Sequence, residues 1–366
     1  MGKLTHVLSG LEIGGKERIA VQLATRGRRE GLDHRLLLFD APYRGEEVDF
    51  DPGEVPVEHL RRGVGMDWLF ALRLARYCRR EGIAVLHAHN DTAVFYCALA
   101  KCLRLGRGPR VVGTFHARPG HDTEAARRLT RWASGRVDAV TAVSPDLAAY
   151  LQEAGWVHRC QTLWNGVDRE EFSPEGPDGG WRAQLGVPRE AFLIAHIGRF
   201  HKVKRQRDLV DAARIVAAAR DDVRVVFVGQ GPTTDEVRER AADLAETVRF
   251  APRVVDVAAF LREIDLFVIC SEQECAPRVV LEAMACARPI LATDVGGIRE
   301  MMTDLNGEVC GRLVPPARPE ELASAILEMV DDKDARSRWG RLALSRVADF
   351  SHDREWDEYA SLYRPP

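Results

Sequence analysis

Two carboxylates, Glu274 and Glu282, stand eight residues apart in the run Glu-Cys-Ala-Pro-Arg-Val-Val-Leu-Glu. The apolar stretch Leu266–Ile269 before them reads as a strand, and a helix is expected to begin near Arg278. Glu274 then belongs in the loop above a strand end and Glu282 in the first turns of the helix, so both can point into one crevice at different depths. Such a pair suits a long polyhydroxyl ligand, because carboxylates accept hydrogen bonds from paired hydroxyls. The backbone N–H groups of a helix start can also receive a phosphate. At another expected strand end, His87-Ala-His89 has a spacing that suggests a metal, but two ligands do not complete a site and no metal is expected there.

The elements that must position these groups follow an alternating pattern. Strands are expected at Leu4–Leu8, Arg35–Phe39, Val85–His87, Val111–Thr114 and Ala139–Val143, with amphipathic helices over 16–30, 67–81, 93–103, 124–134 and 145–153. Each strand is followed by a helix, which requires a parallel sheet. A second series begins after the Pro- and Gly-rich passage 173–180, with strands at Leu193–Ile197, Val223–Val228, Val248–Phe250, Leu266–Ile269, Pro289–Ala292 and Gly311–Val314. The expected division is an N-terminal Rossmann-like domain over 1–170, a C-terminal one over 171–345, and a tail over 346–366. Phe350, Trp356, Tyr359 and Tyr363 give the tail an aromatic stripe that packs on the first domain or on its own. Two such domains in series put ligands where their strand ends face each other.

Composition fits this arrangement. A chain of 366 residues is too long for one ordinary core. Its 46% hydrophobic content and net charge of −3 are those of a packed globular protein. The start lacks the pattern of a signal peptide and there is no apolar run long enough to span a bilayer, so a cytoplasmic protein is expected. The eight cysteines include no CxxC pair or zinc-type cluster and read as reduced thiols, most of them buried. Residues 1–170 carry 25 Lys and Arg against 21 Asp and Glu, whereas residues 171–366 carry 27 against 34. That small excess on the first domain, with the basic segments 73–80 and 127–136, leaves two readings: peripheral contact with an anionic membrane through Leu129 and Trp132, or solvated surface helices. No nucleic-acid-binding module is present.

The carboxylate segment continues Ala-Met-Ala-Cys-Ala-Arg-Pro-Ile-Leu-Ala-Thr-Asp-Val-Gly-Gly-Ile-Arg-Glu, and the whole resembles the C-terminal signature of the retaining GT-B glycosyltransferases of family GT4. Other landmarks of that family occur in order along the chain: Gly14-Gly15, Gly113-Thr-Phe-His116, Trp164-Asn-Gly-Val-Asp168 and Gly198-Arg-Phe-His-Lys-Val-Lys204. The resemblance implies a GT-B fold, two facing Rossmann-like α/β domains with an inter-domain cleft. The donor would be a UDP- or GDP-sugar and the acceptor a glycan, a lipid-linked sugar or a small-molecule hydroxyl. The mechanism would be retaining and need no metal or cofactor. By similarity, Arg199 and Lys204 would stabilise the departing diphosphate, Glu274 would bind hydroxyls of the transferred sugar, and His116 would contact that sugar near the reacting centre. Glu282 would hold the ribose and Gly15 would lie under the diphosphate, with Gly198, Ala276, Pro277 and Arg278 completing the donor-binding set. The chain departs from the family pattern at Cys275 and Ala276, and at Arg205 and Ala287, where Gly is frequent.

A sugar-nucleotide 2-epimerase on the same fold is the main competing function, since it would bind the same donor without an acceptor. A non-catalytic nucleotide-sugar-binding protein is disfavoured because every charged site position is filled. A dinucleotide dehydrogenase is weaker still, because Gly10, Gly14 and Gly15 do not have the Gly-x-Gly-x-x-Gly spacing.

Overall fold

Short runs of Val, Ile and Leu that are apolar along their whole length bury both faces, and parallel sheets covered by helices on each side satisfy that need. The computed structural model describes residues 2–11, 14–40, 51–103, 108–120, 122–251 and 254–364. It comprises two compact units, Met1–Asn165 with Asp353–Pro366, and Gly166–His352. The division between the units falls inside the Asn-Gly-Val-Asp turn.

In the first unit the strands are β1 (Lys3–Leu8), β2 (His34–Leu38), β3 (Val57–His59), β4 (Ile83–His89), β5 (Arg110–Phe115), β6 (Ala139–Ala142) and β7 (Gln161–Thr162), paired in the order β3-β2-β1-β4-β5-β6-β7. The second unit holds β8 (Phe192–Ile197), β9 (Val223–Val228), β10 (Val248–Ala251), β11 (Leu266–Ile269), β12 (Ile290–Thr293) and β13 (Arg312–Val314), in the order β10-β9-β8-β11-β12-β13. Every strand pair in both sheets is parallel. Each sheet reverses its winding once, between β1 and β4 and between β8 and β11. In doubly wound sheets, the crevice at the carboxyl ends of two such strands is where ligands bind.

Two short edge strands, β3 and β7, have no sequence signal beyond two or three residues. Helix Lys333–Arg346 was also not expected, because only Gly340 and Ala343 of it are buried and it shows no apolar stripe. Other helices start at residues chosen for the purpose. The Asp67 carboxylate accepts from the Phe70 N–H at the head of helix Trp68–Glu81, and the Ser144 hydroxyl accepts from Leu147 at the head of Pro145–Glu153. Cys102 is exposed and Cys160 partly so, and the other six cysteines are buried; all eight are free thiols.

The C-terminal helix His352–Tyr363 lies on the first sheet, where Trp356, Tyr359 and Tyr363 join Leu4, Ile19, Leu23, Val85 and Val112 in one core cluster. Across this apolar layer runs a polar seam. The Tyr363 hydroxyl is 2.8 Å from His87 Nδ1, and His87 Nε2 is 2.7 Å from Thr114 Oγ1, which is 2.7 Å from Thr141 Oγ1. His6, His34, His87 and His89 are all at least 97% buried. Burial is the largest cause pushing each of them below the usual imidazole range, with His34 at about 4.

Two positions expected from family pattern to favour Gly have left-handed backbone: Arg205 at φ +49° and Ala287 at φ +54°. The helix 333–346 packs so closely on this second turn that a Cβ on Gly340 would come within 2.5 Å of the Ala287 carbonyl oxygen. An L-residue with a side chain is strained there, whereas glycine is not. Ala287→Gly is therefore expected to stabilise the protein by about 0.5–1 kcal/mol and raise the melting temperature by about 2 °C; a lower melting temperature would contradict the assigned strain. A second expectation concerns acid. Imidazoles held neutral when folded, but free to protonate near pH 6.5 when unfolded, give stability that is present above about pH 6.5 and lost as pH falls below it. The urea midpoint should drop steeply between about pH 6.5 and 4, and a flat profile there would refute the burial of the seam.

Candidate functional site

In the second unit, chemistry gathers at the carboxyl ends of β8 and β11. After β8 the chain makes the Gly198-Arg199-Phe200 turn, and its backbone lies directly on the loop after β9. A Cβ on Gly229 would be 2.3 Å from the Gly198 carbonyl oxygen, and one on Gly231 would be 2.2 Å from that of Phe200. Only glycines allow this approach, and Gly229 also has φ +126°. The Phe200 N–H donates to Gln230 at 3.0 Å, and the Gln206 side-chain amide donates to the Arg199 carbonyl at 3.0 Å. Arg199 itself is exposed.

The chain then turns through a short 3-10 segment, Lys202–Lys204. Lys202 is exposed, whereas Lys204 Nζ lies 2.6 Å from Glu274 Oε1. Lys204, not Lys202, is the lysine that meets the carboxylate. Arg205 fixes the end of the turn by pairing with Asp208 at 2.6 Å and Glu272 at 3.3 Å.

After β11 the loop carries Ser271 and Glu274. The same Oε1 of Glu274 accepts from the Ser271 hydroxyl at 2.6 Å, and the Ser271 carbonyl accepts from Thr293 Oγ1, also at 2.6 Å. Glu274 is only 8% exposed. Cys275 and Ala276 are buried behind it, and Pro277 precedes helix Arg278–Ala285. Arg278 and Glu282 lie four residues apart on that helix, both buried, with their charged atoms 3.9 Å apart. The Pro277 N-cap gives no side-chain hydrogen bond to the helix start, so the first N–H groups suit an anion.

The expected residues thus form two adjoining pairs, Lys204 with Glu274 and Arg278 with Glu282, beside the Gly198-Arg199 turn. Ser271 and Thr293 were not anticipated from sequence. Neither was His196, a polar residue in the apolar strand β8. Its Nδ1 is 3.0 Å from the Val268 carbonyl and its Nε2 has no partner among the described residues. That nitrogen would be 3.7 Å from a Cβ on Gly198, and burial lowers the ring's pKa to about 4. A histidine interrupting a run of aliphatics was the one available signal.

In the first unit, Gly15 opens helix Gly15–Arg29 after β1 and is exposed; a Cβ on it would meet nothing within 4 Å. His116 follows β5. Its backbone N–H donates to Asn90 Oδ1 at 3.0 Å, and its Nε2 lies 2.8 Å from His89 Nδ1. His116 Nδ1 is inaccessible and has no partner among the described residues. Burial, then the charge of Lys16, lowers its pKa to about 3, so the ring is neutral at physiological pH. Lys16 bonds the Ser9 hydroxyl at 3.3 Å and pairs with the buried Glu17 at 3.3 Å.

His6 adds a third imidazole to His87 and His89, and one ring nitrogen from each lies within 4.8 Å of the others. That geometry could hold a metal ion. However, all six ring nitrogens already have hydrogen-bond partners: His34, His116, Tyr363, Thr114, and each other. Trp132 is half-buried against Phe95 and under Arg136, and Leu129 is half-buried, while helix Trp68–Glu81 turns Trp68, Leu69, Leu72, Arg73, Arg76 and Arg79 outward.

The chain as a whole is similar to known proteins. Residues 13–171 match the model of Glycosyltransferase Family 4, and residues 191–332 match that of Glycosyl transferases group 1. The chain is 28% identical to the N-acetyl-alpha-D-glucosaminyl L-malate synthase of Bacillus anthracis, over 96% of this chain and 94% of that one. It is 32% identical to D-inositol 3-phosphate glycosyltransferase 1 of Catenulispora acidiphila, over 76% and 72% of the respective chains. In fold it is similar to the Anabaena protein HepE, crystallised with UDP and glucose, with a TM-score of 0.83, 22% identity and 99% of both chains covered. The fold is GT-B, and the chain belongs to the group 1 glycosyl transferases of glycosyltransferase family 4.

Proposed function

We propose that this glycosyltransferase takes a UDP- or GDP-sugar and transfers the sugar, with retention and without a metal, to the hydroxyl of a glycan, a lipid-linked sugar or a small molecule. The observation that carries this reading is the part-buried contact between Lys204 and Glu274, 2.6 Å long, beside the helix that presents Glu282. As the bond from the sugar to the diphosphate breaks, negative charge grows on the diphosphate, and Arg199 and Lys204 offer the positive charge that stabilises it. Glu274 is then free to accept hydrogen bonds from the sugar's hydroxyls, and Glu282 from the ribose. His116, neutral and with an unpartnered Nδ1, can contact the sugar without adding charge. The acceptor hydroxyl attacks on the face the diphosphate leaves, and a diphosphate oxygen takes its proton. The likeness to HepE, whose crystals hold UDP and glucose, supports UDP as the nucleotide.

Lys204→Ala and Arg199→Ala are each expected to lower kcat by about 10- to 100-fold, the loss of one charge-assisted contact. Glu282→Ala should weaken UDP binding by about tenfold by calorimetry. Unchanged constants in all three would refute the site. The product should keep the donor's anomeric configuration by NMR and turnover should survive EDTA. An inverted product, loss of activity with EDTA, or an epimerised donor in the absence of acceptor would each reject the corresponding part of the proposal.

The acceptor is proposed to lie at an anionic lipid surface. Trp68 is 58% and Leu69 66% exposed, on the helix face that also carries Arg73, Arg76 and Arg79, a combination suited to phospholipid headgroups and the apolar layer below them. The protein should sediment with phosphatidylglycerol vesicles at low salt and not with phosphatidylcholine alone, and Leu69→Glu should abolish this. Equal binding to both lipids, or to neither, would contradict it.

A further inference from the structure

Four imidazoles stand in line across the first sheet. His34 of β2, His6 of β1, His89 of β4 and His116 just beyond β5 come from four strands that are neighbours in the sheet order. Their contacts are 3.3 Å from His34 to His6, 3.2 Å from His6 to His89, and 2.8 Å from His89 to His116. Every link has the same sense: Nδ1 of one ring faces Nε2 of the next. All four rings are held neutral by burial, so each carries one proton on one of its two nitrogens.

That polarity has a strict consequence. Each contact needs one N–H and one lone pair, and a head-to-tail file meets the requirement only if all four rings hold their proton on the same atom. Either every ring is Nδ1–H or every ring is Nε2–H. Any mixture leaves two N–H groups, or two lone pairs, facing each other in the core, where no water can relieve them.

The ends of the file choose between the two states. His116 Nδ1 is buried and has no partner among the described residues. An orphaned buried N–H is rarer than an orphaned acceptor. The Lys16 cation opposes a positive charge on both His89 and His116. At the other end His34 is influenced by Asp33, Arg28 and Glu30.

We propose that the file His34–His6–His89 locks His116 in the Nε2–H tautomer, so that the buried Nδ1 carries a lone pair, which accepts a hydrogen bond from a substrate hydroxyl once binding uncovers it. His89, His6 and His34 are then positioning residues acting through His116, and two of them lie beyond its direct contacts. The functional half of this inference rests on the assignment of His116 to the sugar; the tautomer lock does not. Metal binding by His6, His87 and His89 is the competing use of the same rings, and it would break the link between His6 and His89. The hydrogen-bonded file is favoured because every ring nitrogen of those three is already satisfied.

The test uses the full chain labelled with 15N-histidine. Long-range 1H–15N correlation at neutral pH separates the two neutral tautomers. The four rings should all show Nε2–H, and His6→Phe should leave His116 with averaged nitrogen shifts. His6→Gln, whose amide oxygen accepts and whose nitrogen donates, should restore the single tautomer. Donor turnover should follow, with kcat down about tenfold in His6→Phe, KM within about twofold, and recovery in His6→Gln. Should His6→Phe fail to fold, His34→Phe at the far end replaces it with the same expectation. Mixed or Nδ1–H tautomers in the unaltered protein, or one equivalent of tightly bound zinc by elemental analysis, would overturn the proposal. Uniform Nε2–H rings together with full activity in His116→Ala would instead sink the assignment of His116 to the sugar and leave the lock standing.

Discussion

A carboxylate removed from water must be compensated by a cation or by hydrogen-bond donors, and this requirement governs the second unit's site. Glu274 has lost nearly all contact with solvent. Its Oε1 is compensated by the Lys204 ammonium and the Ser271 hydroxyl, each at 2.6 Å. Lys204 keeps 28% of its side chain exposed, so the desolvation falls mainly on Glu274; burying an ion costs several kcal/mol, and the attraction of a partner often only balances that cost. Apolar residues would fill the same volume with less penalty. The pair therefore makes better sense as a site prepared for a ligand that carries both hydroxyls and negative charge than as a source of stability.

Positioning such a pair requires two loops held to within a fraction of an ångström. The sheet supplies the first constraint, since β8 and β11 are adjacent and parallel and release both loops on the same side. Glycine supplies the second: the backbone at Gly198–Phe200 rests on Gly229–Gly231 at distances no side chain would permit. A third comes from below, where the Cys270 thiol donates to the carbonyls of Lys204 and Arg205 at 3.3 Å and ties the two loops together. The first unit repeats the plan at β1, β4 and β5, but with neutral imidazoles where the second has charges. One locus is thus suited to contact without charge and the other to charge neutralisation.

The sequence made the repetitive part of this architecture readable. Long apolar runs flanked by turns located eleven strands within a residue or two. Both strands it missed, β3 and β7, are edge strands of two or three residues, too short for a period. Helix 333–346 was invisible because it buries almost nothing apolar. Among the charged residues, type and spacing singled out Glu274 and Glu282, and the family resemblance singled out Arg199 and Lys204; the side chains of Lys202 and Lys204 diverge only through the 3-10 turn. The polar residues that support them were harder to see. Ser271 and Thr293 act by touching one atom, and His6 and His34 act by lying beside histidines that are 28 to 83 positions away in the chain. Those relationships arise from strand order, which local sequence does not encode. Arg205 and Ala287 show the reverse case: they were noticed as departures from glycine, and both fall on left-handed backbone that explains the usual preference.

A crystal structure with an intact UDP-sugar would test the central claim most directly. The diphosphate oxygens should lie about 3 Å from Lys204 Nζ and from the first N–H groups of helix 278–285, Glu274 should have exchanged Lys204 for sugar hydroxyls, and Glu282 should hold the ribose. A nucleotide bound elsewhere, with Lys204 and Glu274 still paired and untouched, would show that this ion pair serves some other purpose.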